Sequence, residues 1–245
     1  AMGEAFRKIK HGYLDACVTG GAEAAITKFA LAGFQNMGAL AVGDDPGRLS
    51  IPFDKERKGF VMGEGAAILV LEELEHATKR GANIIAEVVG FGATDDAYHI
   101  TGPDPQGLGG AKAMEFAMEE AGFAGDQVDY INAHGTSTDA NDRIETLAIK
   151  TALGEESARR VAISSTKGVT GHMLGAAGGV EAILTALALR QGVVPPTAGY
   201  QVPDEECDLD YVTKGARKQE IRRALSNSLG FGGHNATLAL QKYEQ

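Results

Sequence analysis

The chain has 245 residues, of which 44% are hydrophobic and 23% charged, a balance that is ordinary for a globular protein with one or two cores. A formal net charge of −10 argues against general binding to nucleic acid or to an anionic membrane. The two cysteines form no disulfide framework or metal spacing, and neither a signal sequence nor a transmembrane-length apolar run occurs, so a reducing cytoplasm is the expected setting.

Apolar residues at helical spacing predict that the chain opens within a helix that ends at Gly12, and the lack of an N-cap favours truncation or cleavage before it. Short apolar strands then alternate with helices. The predicted elements are, in order, a helix over 1–10, a strand over 15–19, a helix over 23–33, a polar loop over 44–58, a strand over 66–71, a helix over 72–80 and a strand over 84–90.

The rest of the chain continues this alternation, which favours the α/β class. Its predicted elements are a loop over 101–110, a helix over 111–121, a strand over 128–132, a helix over 141–153, a strand over 161–164, a long small-residue helix over 171–191, and strands over 224–228 and 236–240. A helix followed by two strands occurs near the start and again near the end. This repeated order of elements predicts two related halves, 1–83 and 84–245.

His134 follows a predicted strand and opens a loop that contains Thr136 and Thr138. Ligands of α/β proteins bind where strands end, so this loop is a candidate site. Taken alone, such a short motif is explained as well by a capped turn that carries a surface histidine.

His172 is predicted to open the long helix, just after a turn that contains Lys167. A helix N-terminus disfavours protonation of an imidazole, so His172 is expected to be neutral and able to donate a hydrogen bond to a developing oxyanion. Glu181 is predicted to be buried in that helix, where Lys167 is its obvious partner. A purely structural ion pair accounts for Lys167 and Glu181 equally well.

The segment 230–233 is a Gly-Phe-Gly-Gly loop between two predicted strands. Gly230 and Gly232 would let backbone N–H groups approach a substrate oxyanion, and Phe231 would gate an acyl pocket. A plain hairpin turn is the alternative. Cys17 and Cys207 lie in settings that discourage a reactive thiolate, and three other histidines, at 11, 76 and 234, are expected to be solvated or structural.

Five segments, 15–25, 53–64, 132–138, 164–178 and 227–235, resemble in order and spacing the beta-ketoacyl-acyl carrier protein synthases, above all the elongating condensing enzymes of that family. The resemblance implies a thiolase-like fold, with two similar halves in a layered αβαβα arrangement and an incomplete N-terminal half. It implies an acyltransferase that joins an acyl thioester to malonyl-acyl carrier protein with loss of carbon dioxide. A cytoplasmic homodimer that binds acyl carrier protein and uses no metal or other cofactor is expected.

The resemblance also implies roles for particular residues. His134 and His172 correspond to the catalytic histidines, Lys167 and Glu181 to their supporting pair, and Phe231 to the gating residue whose N–H joins the oxyanion hole. Thr101, Thr136 and Thr138 correspond to positions that line the phosphopantetheine tunnel. Leu229 and His234 depart from the family pattern, in which a phenylalanine and a threonine are common.

The family's nucleophile is a cysteine in a Cys-Ala-Thr-Gly-like turn. Ala1-Met2-Gly3 resembles the residues a few positions after it, so the nucleophile is expected outside this sequence. Two alternatives stay open: a chain-length-factor-like partner that has lost the cysteine, and a binding module of the same fold. The two histidine motifs speak against the first.

Overall fold

A computed structural model describes residues 1–244. The helices are α1 (Met2–Lys10), α2 (Lys28–Asn36), α3 (Leu74–Lys79), α4 (Leu108–Ala121), α5 (Asp139–Leu153), α6 (Glu155–Ala158), α7 (Lys167–Thr170) and α8 (Ala177–Gln191). The strands are β1 (Ala16–Glu23), β2 (Gly65–Glu72), β3 (Glu87–Asp95), β4 (Tyr130–Asn132), β5 (Ala162–Ser164), β6 (Val193–Val194), β7 (Arg217–Lys218), β8 (Arg223–Gly230) and β9 (His234–Gln241). Within residues 1–244, no helix has both the length and the apolar character needed to cross a membrane.

The strands form one large sheet and two small ones. The five-stranded sheet has the order β3-β9-β8-β4-β5, in which β4 runs parallel to both β5 and β8, whereas β9 is antiparallel to β8 and to β3. β1 and β2 pair antiparallel as a separate two-stranded sheet, and β6 pairs with β7. Because β5, β4 and β8 point the same way, the segments that follow them leave the sheet at one edge.

Helix α8 lies between the two larger sheets, and two adjacent glycines allow this close approach. A methyl group on Gly178 would lie 3.2 Å from Oγ of Ser228 in β8, and one on Gly179 would lie 3.0 Å from the carbonyl oxygen of Ala67 in β2. Helices α4 and α5 pack together on the opposite side of the five-stranded sheet. The α/β class and the layering of helices between sheets are therefore as predicted.

The main core lies between the five-stranded sheet and helices α4 and α5. Alternation along the central strands places Ile131, Ile163 and Leu225 on this side, where they pack with Met114 of α4 and Ile149 of α5, all fully buried. This core holds the carboxyl edge of β5, β4 and β8 in place.

Three predicted elements are wrong in position. The segment 23–33 is helical only from Lys28, because β1 continues to Glu23 and the hydroxyl of Thr27 caps α2 by accepting from the amide of Ala30 at 3.2 Å. The strand predicted over 84–90 is β3, which begins at Glu87 and runs to Asp95 because β9 pairs along that whole length. The boundary between residues 83 and 84 stays a prediction.

The long helix predicted over 171–191 begins only at Ala177. Gly171 has a left-handed φ of +66°, and His172 instead forms a short β-bridge with Met62. A 3-10 turn, Leu174–Ala176, then leads into α8. His172 is therefore not at the N-terminus of the long helix, and the predicted dipole effect is not what governs its protonation.

Candidate active site

The predicted site residues follow three neighbouring parallel strands. His134 comes two residues after β4, Lys167 three residues after β5, and Phe231 directly after β8. Register pairs Asn132 with both Ser164 and Ser226, so the ends of these strands lie side by side. In open α/β sheets this carboxyl edge is the usual place for a ligand site.

Lys167 connects His134 to Glu181. Its Nζ donates to a carboxylate oxygen of Glu181, to the carbonyl oxygen of His134 at 2.6 Å, and lies 3.3 Å from Nδ1 of the His134 ring. All three residues are buried, with exposures of 1% for Lys167, 2% for Glu181 and 6% for His134. The predicted pairing of Lys167 with Glu181 is present, and the same ammonium also positions a histidine.

Hydrogen bonds to backbone groups of other residues hold His172 in place. Its amide donates to the carbonyl oxygen of Val61 at 2.7 Å, its carbonyl oxygen accepts from Gly63 at 2.9 Å, and its Nδ1 accepts from the amide of Leu174 at 3.2 Å. The ring centroids of His172 and His134 are 5.1 Å apart, with the planes at 84°. The two sequence motifs, 38 positions apart, thus meet in one site.

Both imidazoles are held neutral. Burial, together with the nearby Lys167 ammonium, lowers the pKa of His172 to about 3. Burial comes first, followed by the Lys167 ammonium and the neighbouring His172 ring, in lowering the pKa of His134 well below its usual value. An ammonium and a backbone amide can only donate, so each Nδ1 is an acceptor and each neutral ring carries its proton on Nε2. The site therefore presents two N–H donors.

Glu145 supports the His134 loop, and sequence reasoning missed it. From the buried face of α5, its two carboxylate oxygens accept from the amides of His134 and Gly135, each at 2.8 Å, and one also accepts from Asn227 at 3.2 Å. Burial outweighs these bonds and raises the pKa of Glu145 to about 7. An acidic residue among apolar positions of a predicted helix was the signal available.

A second acid of α5 fixes the rest of this loop. Asp142 accepts from the amides of Ser137 and Phe53, with a bond of 2.7 Å to Phe53. The hydroxyls of Thr136 and Thr138 lie 2.8 Å apart just after His134. These two predicted substrate-binding residues therefore lie on the same loop as the first histidine.

Phe231 and Thr101 belong to a second cluster. Phe231–Gly233 forms the turn of the β8–β9 hairpin, in which Gly232 has φ +84° and donates its amide to the carbonyl oxygen of Ile100 at 2.8 Å. Gly230 ends β8, and the Phe231 side chain is 47% exposed. This hydrogen bond joins the turn to Ile100, the residue before Thr101. Phe231, Gly232 and Thr101 therefore lie near one another at the same edge of the sheet.

Neither cysteine has the surroundings of an activated thiol. Cys17 lies within β1, and Cys207 is 2% exposed, where burial raises the pKa of its thiol to about 12. Three other histidines, at 11, 76 and 234, are exposed, and the last two pair with Glu72 and Asp95. The predictions for Cys207 and for these three histidines are confirmed.

Two family models together match most of the chain. Residues 1–77 match the N-terminal domain of beta-ketoacyl synthases, and residues 85–201 match their C-terminal domain. The chain belongs to the beta-ketoacyl synthase family, whose thiolase-like fold is the class predicted from the sequence.

Individual relatives agree with this assignment. The chain is 54% identical over 245 residues to 3-oxoacyl-[acyl-carrier-protein] synthase 2 of Synechocystis, and spans 59% of that protein's length. A beta-ketoacyl synthase from Burkholderia phymatum superimposes with a TM-score of 0.93 at 40% identity, over 100% of this chain and 59% of that one. A type II polyketide ketosynthase in complex with its acyl carrier protein superimposes at 0.97 with 38% identity, over 99% of this chain and 60% of that one.

Proposed function

We propose that this chain carries the decarboxylating half of a 3-oxoacyl-acyl carrier protein synthase, an acyltransferase of fatty acid elongation. The proposed overall reaction joins an acyl thioester to malonyl-acyl carrier protein and releases carbon dioxide and 3-oxoacyl-acyl carrier protein. The single observation that carries the proposal is the pair of neutral imidazoles, His134 and His172, each with an occupied Nδ1 and an N–H at Nε2.

The proposed step for these two donors is the loss of carbon dioxide from the malonyl group. As the carbon–carboxylate bond breaks, its electron pair forms an enolate, and negative charge develops on the thioester oxygen. Hydrogen bonds from both Nε2–H groups to that oxygen stabilise the developing charge more than the neutral carbonyl. Neutral rings suit this role because each Nδ1 accepts a hydrogen bond from the protein while Nε2–H stays available to donate.

The enolate carbon then attacks an acyl group held on a cysteine, the new carbon–carbon bond forms, and the cysteine thiolate leaves. Cys17 lies inside β1 and Cys207 is buried with a raised pKa. The cysteine that bears the acyl group is therefore proposed to be one that is not among residues 1–245. Phe231 is proposed as the gate, with its N–H in the oxyanion hole. Charge stabilisation by N–H donors is the only chemistry that this scheme asks of the chain, and no metal or redox cofactor takes part in it.

A chain-length-factor-like partner without condensing activity is less well supported. Such a partner would have no need for two neutral histidines, or for buried Lys167 and Glu145 to position them. The complete network around both rings supports a working decarboxylation site.

Acyl carrier protein is the proposed partner, and a cytoplasmic homodimer the proposed form. One of the solved relatives is a ketosynthase in complex with its acyl carrier protein, which supports the partner. Several basic side chains of this chain are paired within it: Arg7 and Lys10 bond Glu120, and Arg217 bonds Asp210. These ion pairs reduce the positive charge that Arg7, Lys10 and Arg217 could offer to an acidic carrier protein.

The test is turnover by the complete enzyme that contains this chain. With acyl- and malonyl-carrier proteins, we expect release of labelled carbon dioxide and formation of 3-oxoacyl-carrier protein in equal amounts. Carbon dioxide release without a condensed product would leave only the decarboxylation assignment, and the absence of both would refute the proposed function.

A further inference from the structure

Ser165 links the two strand ends that carry His134 and Lys167. It is the first residue after β5, is fully buried, and lies directly against the backbone of Gly135. A methyl group on Gly135 would come within 2.5 Å of Cβ of Ser165. The side chain therefore fills the gap between the end of β5 and the loop that follows β4.

The hydroxyl of Ser165 forms hydrogen bonds on both sides of this gap. Its hydroxyl donates to the carbonyl oxygen of Gly135 at 2.6 Å and accepts from the amide of Lys167 at 3.3 Å. Its own amide donates to the hydroxyl of Thr197 at 3.1 Å, and that hydroxyl donates in turn to the carbonyl oxygen of Tyr211 at 2.6 Å. One hydroxyl thus ties the residue after His134 to the backbone of Lys167.

We propose that Ser165 is a positioning residue for the two-histidine site: its hydroxyl sets the distance between the His134 loop and Lys167, so that the ammonium reaches Nδ1 of His134. This inference rests on the proposed function for its catalytic consequence only. Loss of the hydroxyl frees the carbonyl oxygen of Gly135 and the amide of Lys167, and the His134–Lys167 contact lengthens. Without a donor at Nδ1, the His134 ring is no longer confined to the form that carries its proton on Nε2.

Ser164 provides a matched control. It is the neighbouring residue, equally buried, and its hydroxyl bonds the hydroxyl of Tyr130 at 2.9 Å instead of the His134 loop. Ser164→Ala and Ser165→Ala each remove one hydroxyl with a buried hydrogen bond at the end of β5. A general loss of stability should therefore appear in both variants, and a change at His134 only in the second.

The experiment compares wild type, Ser164→Ala and Ser165→Ala in the complete enzyme by nitrogen-15 NMR, with the histidine rings labelled with nitrogen-15. We expect the His134 ring signals to show an unprotonated Nδ1 in wild type and Ser164→Ala, and a mixture of tautomers in Ser165→Ala. Malonyl decarboxylation should fall by about ten- to a hundredfold in Ser165→Ala only, because small misplacement of a catalytic group costs this much.

Unchanged His134 signals in folded Ser165→Ala, or equal changes in both variants, would overturn the proposal. If Ser165→Ala does not fold, Ser165→Cys keeps a weaker donor at the same place and should shift the same signals to a smaller extent. An inactive wild type whose His134 signals still respond to Ser165 would refute the proposed function and leave the positioning role intact.

Discussion

The rings of His134 and His172 stand almost perpendicular, at 84°, with their centroids 5.1 Å apart. Each ring has its Nδ1 occupied by a donor, from Lys167 in one case and from the amide of Leu174 in the other. This relationship makes the two rings a pair of neutral donors. Substitutions of the two rings should therefore slow decarboxylation, whereas substitutions far from them should affect only the stability of the fold.

His134→Ala and His172→Ala, made separately in the complete enzyme, should each slow malonyl decarboxylation by about a hundredfold or more, as loss of one oxyanion donor does elsewhere. Acyl transfer to the nucleophilic cysteine should persist, because that step creates no enolate. Both rates are measured with labelled carrier-protein substrates, with exposed His11→Ala as the control. Loss of acyl transfer with intact decarboxylation would reverse the roles assigned here.

Lys167→Ala should lower the free energy of unfolding by about 3–5 kcal/mol, since it leaves the buried carboxylate of Glu181 without its cation. Replacing both partners, as in Lys167→Met with Glu181→Leu, should destabilise the protein less than Lys167→Ala does. Chemical denaturation checks the comparison. A single variant as stable as wild type would show that the pair contributes nothing to folding.

The raised pKa of Glu145 predicts a pH-dependent stability. Its carboxyl binds a proton more tightly in the folded chain, with a pKa of about 7, than an unfolded glutamate does at about 4.3. Its contribution to stability is therefore fully present below about pH 4 and is lost as pH rises through about 7, with a total of roughly 4 kcal/mol.

Glu145→Gln should remove this part of the pH dependence, and Glu156→Gln on the exposed surface of α6 is the control. Denaturation midpoints between about pH 5 and about pH 8 give the measurement. If the Glu145→Gln and wild-type curves run parallel, the carboxylate is already ionised throughout and the assignment of its pKa is wrong.

Cys207 should resist alkylation in the native protein. Its thiol is buried and its pKa is raised to about 12, so the reactive thiolate is scarce near neutral pH. Labelling with iodoacetamide, followed by mass spectrometry, should modify Cys207 only after denaturation. Rapid native labelling of Cys207 would mean that its pocket opens readily.

The two glycines of α8 should respond differently to alanine. Gly179→Ala places a methyl group 3.0 Å from the backbone oxygen of Ala67, which cannot rotate away, so we expect a loss of about 1–3 kcal/mol. Gly178→Ala meets only the hydroxyl of Ser228, which can turn aside, and the better helix propensity of alanine compensates. Thermal unfolding of the two variants should rank them in this order.

Much of the site could be predicted because its signals are local. A histidine after a strand, a glycine-rich turn between strands and a lysine before a small-residue helix are each visible within about ten residues. Glu145 and Ser165 were not predicted because their importance depends on contacts across the fold, and the only local signal was the acidic character of Glu145 among apolar helix positions. The start of α8 was misplaced because Gly171 takes a left-handed φ and His172 pairs with Met62, a contact 110 positions away.

The sequence by itself determined the α/β class, the order of most elements and the two histidine motifs, since periodicity and turn chemistry act between near neighbours. Only the tertiary structure decided that His134 and His172 share one site, that His134 is neutral, that burial and not a helix dipole keeps His172 neutral, and that Nδ1 is the acceptor in both rings. Those properties come from burial and from donors on other segments, Lys167 for His134 and the turn after His172 for its own ring. Desolvation and long-range contacts arise when the chain packs, and for that reason the ionisation state of the site could not be read from its residues alone.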